Sequence, residues 1–137
     1  MNHTEVEARL RARGCSLTAP RRAILRWLDG NLSHPTAADV YEAITADFPL
    51  ASRATVYNTL TLLEQVGAVT VLHDGATARF DPNTTPHHHR ICPACGHIED
   101  IDASAVEVFL HGRPARGAVR FEGWCKGCEP PLPGAIG

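Results

Sequence analysis

The 137-residue sequence has no apolar run approaching the ~20 residues that a membrane-spanning helix requires, so no transmembrane segment is expected. Its first residues, MNHTEVEARLRARG, lack the apolar centre of a signal peptide, with charges standing where that centre belongs. A cytoplasmic protein is the expectation. Net charge is also scarce: 13 Lys and Arg stand against 15 Asp and Glu, a formal balance of −2, which by itself does not suggest nucleic acid. There is no internal repeat beyond two short Cys-x-x-Cys turns. Hydrophobic residues at 44% and charged residues at 20% are ordinary for a globular chain, which argues against disorder and against a fibre. The length suits one domain or two very small ones.

What is present is uneven. Residues 1–30 carry Arg9, Arg11, Arg13, Arg21, Arg22 and Arg26 against Glu5, Glu7 and Asp29, while the remainder is acidic. A locally basic end on a near-neutral chain can still neutralise phosphates. The five cysteines fall as two close pairs, Cys92 with Cys95 and Cys125 with Cys128, and a lone Cys15. In a reducing compartment such pairs point to metal rather than disulfides. Cys15 is expected to be a small buried hydrophobe.

Four helices are expected. Residues 4–13 space Val6 and Leu10 four apart. Thr18 then caps a second helix with Pro20 in its first turn and Ile24, Leu25 and Leu28 inward, ended by Gly30. Thr36-Ala-Ala-Asp39 opens a third as a capping box, with Val40 and Ile44 inward to about residue 47. Ser52 caps the fourth, which buries Val56, Leu60, Leu63 and Val66, stops at Gly67 and presents Arg53, Tyr57, Asn58 and Thr61 on its other side. From Ala68 the pattern becomes VTVLH and TARFD joined across Asp74-Gly75, a hairpin signal. Helices followed by a hairpin in this order make a winged helix, whose last helix would enter the major groove.

Residues 81–86, DPNTTP, read as a connector. Beyond it, residues 87–91 and 97–101 are expected as strands around the first cysteine turn, residues 103–110 as a brief helix and residues 119–124 as a further strand. The fold class is thus α+β, an N-terminal winged helix with a small C-terminal α/β domain. Boundaries are set at 1–81, a hinge at 82–85, 86–128, and a flexible tail at 129–137.

The chemistry concentrates in His87 to Asp100, HHHRICPACGHIED, with four histidines, two cysteines and two acids in fourteen residues. Cys92, Cys95, Cys125 and Cys128 form two turns with 29 residues between them, a pattern suited to a closed tetrahedral zinc because soft thiolates fill all four positions. His87 and His89 are two apart, so on a strand both imidazoles share one face and His88 points away. Asp81 and Asp100 flank them and can converge on the same ion. His34, in the loop between the second and third helices, reads alone as a polar residue beside a helix. On the fourth helix Asn58 can pair with adenine, Tyr57 can pack on a thymine methyl, and Arg53 can take guanine or phosphate. Arg21 and Arg22 at a helix start suit phosphate.

The blocks HPTAADVY (34–41), ASRATVYNTLTLLEQVG (51–67), RFD (79–81), HHHRICPACGHIEDID (87–102) and WCKGC (124–128) together resemble the ferric uptake regulator superfamily, over about residues 5–128. The resemblance implies a dimeric, metal-sensing transcriptional repressor that binds a double-stranded DNA operator. It implies structural zinc on the four cysteines and a regulatory Fe(II) or Mn(II) on His34, Asp81, His87, His89 and Asp100. An Asp at both 81 and 100 looks most like the peroxide-responsive branch, in which iron at the site reacts with peroxide, a ligand histidine, here His87 or His89, is oxidised, and DNA is released. A sensor of iron or manganese supply would use the same residues. A metalloenzyme is the rival of another class, since His and Asp ligands with an open position could activate water; no general base or substrate pocket is identifiable for it, and an enzyme is not expected. The sequence departs from the family between Asp100 and Cys125, where only 24 residues intervene, so a trimmed dimer interface is expected there.

Overall fold

A computed structural model describes residues 1–128; the expected tail, 129–137, lies outside the described residues. The chain divides into two compact units, the first Met1–Thr84 and the second beginning at Thr85.

The first unit holds four helices, α1 (His3–Ala12), α2 (Ala19–Leu28), α3 (Ala37–Thr45) and α4 (Arg53–Gln65), followed by strands β1 (Thr70–Asp74) and β2 (Thr77–Asp81). The helix starts are where the side-chain chemistry sets them. Thr18 accepts from the Arg21 N–H, Thr36 and Asp39 complete a reciprocal capping box, and Ser52 accepts from the Thr55 N–H, each satisfying donors the first turn leaves open. Asn2 caps α1, a start the sequence pattern did not single out. The periodic apolar positions converge: Val6, Leu10, Ile24, Leu25, Leu28, Val40, Ile44, Val56, Leu60 and Leu63 are buried together, with Val69 and Phe80 of the hairpin region. Gly67, at φ +73°, ends α4 in the left-handed conformation that costs a glycine least. β1 and β2 pair antiparallel around Asp74-Gly75, with Val71 opposite Phe80 and Asp74 opposite Thr77. This is a winged helix.

The second unit is built on β3 (His87–Ile91), flanked by β4 (Ile98–Asp102) and β7 (Arg120–Glu122). β4 runs antiparallel to β3, with His87 opposite Asp102 and His89 opposite Asp100; β7 runs parallel to it, with His89 beside Arg120. A separate two-stranded ribbon joins β5 (Phe109–Leu110) to β6 (Arg113–Pro114). Here the structure corrects the sequence reading. In place of the helix expected over residues 103–110 there is a single 3₁₀ turn, Ala103–Ala105, capped by Asp102, and then β5. The segment is too short to pay for helix nucleation, and Val106 and Val108 are β-branched. The His111-Gly112 turn, both residues at positive φ (50° and 76°), selects a tight hairpin instead.

Candidate metal centres and nucleic-acid interface

The four paired cysteines lie in the second unit. The first turn closes through Gly96 N–H to the Cys92 carbonyl at 2.9 Å and Cys92 N–H to the His97 carbonyl at 2.9 Å; the second closes through Cys128 N–H to the Cys125 carbonyl at 3.0 Å. The two turns bring their sulfurs together: one ligand atom from each of Cys92, Cys95, Cys125 and Cys128 lies within 4.8 Å of the others. Cys95 Sγ and Cys125 Sγ are 3.6 Å apart. The arrangement creates an electrostatic problem for the bare thiols. The Cys125 backbone N–H draws the Cys92 thiol down to about 6, whereas sharing hydrogen bonds with Cys125 and Cys95 pushes Cys128 up to about 12. Four thiolates cannot crowd together without a cation, and a tetrahedral divalent ion removes the conflict. The cluster fits structural zinc. Cys15 stands apart, half-buried against the core of the first unit.

Each unit also carries an imidazole and carboxylate set. In the first, His34 Nε2 lies 3.7 Å from Asp81 Oδ2, with both side chains 1% exposed. Asp81 Oδ1 accepts the Asn83 N–H at 2.9 Å, which orients the carboxylate. His34 itself is held in the left-handed region at φ 51°, an uncommon conformation for a side chain of its size. The backbone there is gripped from β2: Phe80 N–H donates to the Pro35 carbonyl at 2.8 Å, and Arg79 Nη1 donates to the His34 carbonyl at 3.4 Å. The sequence reading passed over Arg79 as a functional residue, although it stands in the quoted RFD block.

In the second unit the period of two along β3 puts His87 and His89 on one face, their Nε2 atoms 3.0 Å apart. Asp100 Oδ1, reached across the β3–β4 pairing, lies 3.5 Å from His87 Nε2 and 3.4 Å from His89 Nε2. The Thr85 carbonyl accepts from His87 Nδ1; that fixes the proton on Nδ1 and leaves the lone pair on Nε2, the ordinary second-shell arrangement of a ligating histidine. Two imidazole nitrogens and a carboxylate oxygen thus face one point. No thiolate is among them, so the donors are harder than the cysteine set and suit Fe(II) or Mn(II). His88 does face away, as the strand period requires; its Nδ1 accepts the Val119 N–H at 2.9 Å.

On α4, Arg53 and Asn58 are exposed and Tyr57 is 55% exposed, opposite the buried Val56, Leu60 and Leu63. Arg53 sits over the ring of Tyr41 on α3, 4.4 Å from its centroid. Arg21 turns back to donate to the Ser16 carbonyl at 2.9 Å. Arg22 and Arg26, four apart on α2, line a cleft of about 560 Å³ with Ala19, Ala23, Asp47 and Phe48. Among the described residues no helix is long and apolar enough to cross a membrane.

Residues 12–118 match the family described as the ferric uptake regulator family. Over 95 residues, 69% of this chain, the sequence is 46% identical to the peroxide-responsive repressor of Staphylococcus aureus, and the match spans 64% of that protein's length. Among solved structures, the peroxide-responsive repressor of Streptococcus pyogenes, described with its peroxide sensing and gene regulation, aligns with 93% of this chain and 92% of its own at 29% identity and a TM-score of 0.56. The manganese-bound ferric uptake regulator of Pseudomonas aeruginosa aligns with 88% of this chain and 97% of its own at 29% identity and a TM-score of 0.68.

Proposed function

This chain belongs to the ferric uptake regulator family, and from that premise we propose that it is a cytoplasmic, homodimeric, metal-dependent transcriptional repressor that releases its operator in response to peroxide. The donor set carries the reading: two imidazole nitrogens 3.0 Å apart share one carboxylate oxygen, with no thiolate beside them, on a chain 46% identical to a peroxide-responsive repressor.

In this reading residues 1–81 form the DNA-binding domain, 82–85 the hinge and 86–128 the dimerisation domain. The zinc on Cys92, Cys95, Cys125 and Cys128 is structural. His34 and Asp81 on one side of the hinge, and His87, His89 and Asp100 on the other, are the two halves of one regulatory site. Five ligands drawn from two domains make metal affinity and domain angle the same free energy, so the ion shifts the population toward the DNA-competent form. α4 enters the major groove with Arg53, Tyr57 and Asn58 toward the bases, and Arg21 and Arg22 are assigned to phosphate. Iron, when bound, supplies the redox chemistry that turns peroxide on a neighbouring imidazole. The oxidation is assigned to His87 or His89, whose ring carbons would lie beside the iron that their Nε2 atoms help hold, with no thiolate beside them to react first. An oxidised imidazole is a poor ligand, so the ion is lost and the hinge is freed.

The test is operator binding by Fe(II)-loaded and Mn(II)-loaded protein before and after micromolar peroxide, with intact mass on each sample. The expected result is that only the iron form releases DNA and that it gains one oxygen on a peptide containing His87 or His89. Retention of DNA by both forms would instead make the protein a sensor of iron or manganese supply.

A further inference from the structure

The arginines of the first unit differ in how they are held. Arg9 donates to the Val66 carbonyl, Arg21 to Ser16 and Arg79 to His34, while Arg11 pairs with Glu7. Each of these spends guanidinium edge on the protein. Arg53, the first residue of α4, is held differently: its guanidinium carbon lies over the ring of Tyr41, 4.4 Å from the centroid, and among the described residues it makes no hydrogen bond or ion pair. Attraction to the negative face of a ring restrains a cation without using an N–H. All five donors of Arg53 therefore stay available while much of its rotamer freedom is already gone.

Tyr41 is built to be the stationary partner. It is half-buried on α3, which begins at the Thr36 and Asp39 capping box and packs on α4 through Val40 and Ile44, and its carbonyl accepts from Thr45 Oγ1 at 2.9 Å. The ring thus belongs to the helix before the one that would carry base contacts, and it reaches across the helix-turn-helix to the first residue of its neighbour. That end of α4 also carries the positive end of the helix dipole, which favours phosphate and electronegative base edges.

We propose that Tyr41 is a positioning residue for operator recognition: its ring holds Arg53 in the orientation in which the guanidinium addresses a base edge or its adjoining phosphate. This rests on the DNA-binding reading given above. Tyr41 does not itself touch DNA; it fixes Arg53 beforehand, so less entropy is lost on binding. The interaction is specific to a π face, so phenylalanine replaces tyrosine and leucine does not.

The experiment uses the full chain with zinc and Mn(II), and as probe the duplex that the unaltered protein selects from a random library. Affinities for that duplex and for a scrambled one are measured for the unaltered protein, Tyr41→Phe, Tyr41→Leu, Arg53→Gln and the Leu/Gln double variant, with thermal midpoints to establish folding. The expected result is that Tyr41→Leu loses ~2- to 5-fold in affinity for the selected duplex, the scale of an exposed cation–π contact. Tyr41→Phe restores it, and the double variant is no weaker than Arg53→Gln alone. A loss in Tyr41→Leu that adds in full to that of Arg53→Gln, or no loss at all, overturns the proposal while leaving the repressor reading intact. Tyr41→Gln covers the case in which the leucine variant does not fold: a glutamine variant that folds and keeps the full affinity and base preference of the unaltered protein would overturn the proposal equally. Failure of the unaltered Mn(II) protein to select any duplex would remove the DNA-binding reading and this inference with it.

Discussion

Phe80 donates its backbone N–H to the Pro35 carbonyl at 2.8 Å, one residue along the chain from the buried pair His34 and Asp81. With Arg79 on the His34 carbonyl, three successive residues of β2 hold the loop before α3. The same strand is one arm of the wing, so the position of the wing and the position of His34 are not independent.

Arg79→Gln is therefore expected to weaken regulatory Mn(II) binding although Arg79 is no ligand. The scale is roughly tenfold, that of an outer-shell partner. Titration of zinc-replete protein with Mn(II) reads it; zinc content should not change.

Cys125→Ser is expected to abolish zinc retention and unfold the second unit, because one lost thiolate leaves a three-coordinate site and a structural zinc contributes on the order of 10 kcal/mol to small domains. Amide exchange should show protection lost from Thr85 onward and retained in α1 to α4. Uniform loss across both units would mean that they do not fold separately.

Asp29 gives a pH dependence. The His3 backbone N–H at 3.0 Å and the His3 ring nitrogen at 2.6 Å hold its carboxyl below the usual carboxylate range. A carboxylate depressed in the folded state stabilises above its unfolded pKa, and that stabilisation is lost as pH falls through the folded value. Asp29→Asn should lower the thermal midpoint near neutral pH, with the gap to the unaltered protein closing only in acid. A gap independent of pH would assign the effect to packing.

Thr36→Ala removes the cap of α3 and half of a reciprocal box with Asp39, whose two hydrogen bonds measure 2.9 and 3.1 Å. A loss of about 1 kcal/mol is expected in chemical denaturation. If Tyr41 acts through the placement of α3, operator affinity should fall as well.

Local chemistry made much of this molecule legible in advance. Thr18, Thr36 and Ser52 announced helix starts because their oxygens satisfy donors that no helix can satisfy itself, and Asp74-Gly75 announced the wing because few residues accept its turn. The cysteine pairs were legible because thiolates at that spacing have little else to do. Residues 103–110 misled: eight residues with weak helical composition carry almost no local preference, and the ribbon was decided by the His111-Gly112 turn beyond them. The Tyr41 and Arg53 contact and the Arg79 grip on His34 were invisible for another reason. They join residues twelve and forty-five apart in the chain, and spacing along one element says nothing of which neighbouring element it meets.

The parallel pairing of β7 with β3 has a consequence during synthesis. As the chain leaves the ribosome, His87, His89 and the first two cysteines emerge well before Arg120–Glu122 and the second turn, which is separated from Asp100 by 24 intervening residues. Until then β3 lacks one of its two neighbours and Cys92 and Cys95 form only half a tetrahedral set. A truncated or stalled nascent chain therefore carries the histidines without β7 beside β3, and the second cysteine turn is the later half of the four-thiolate set to be made.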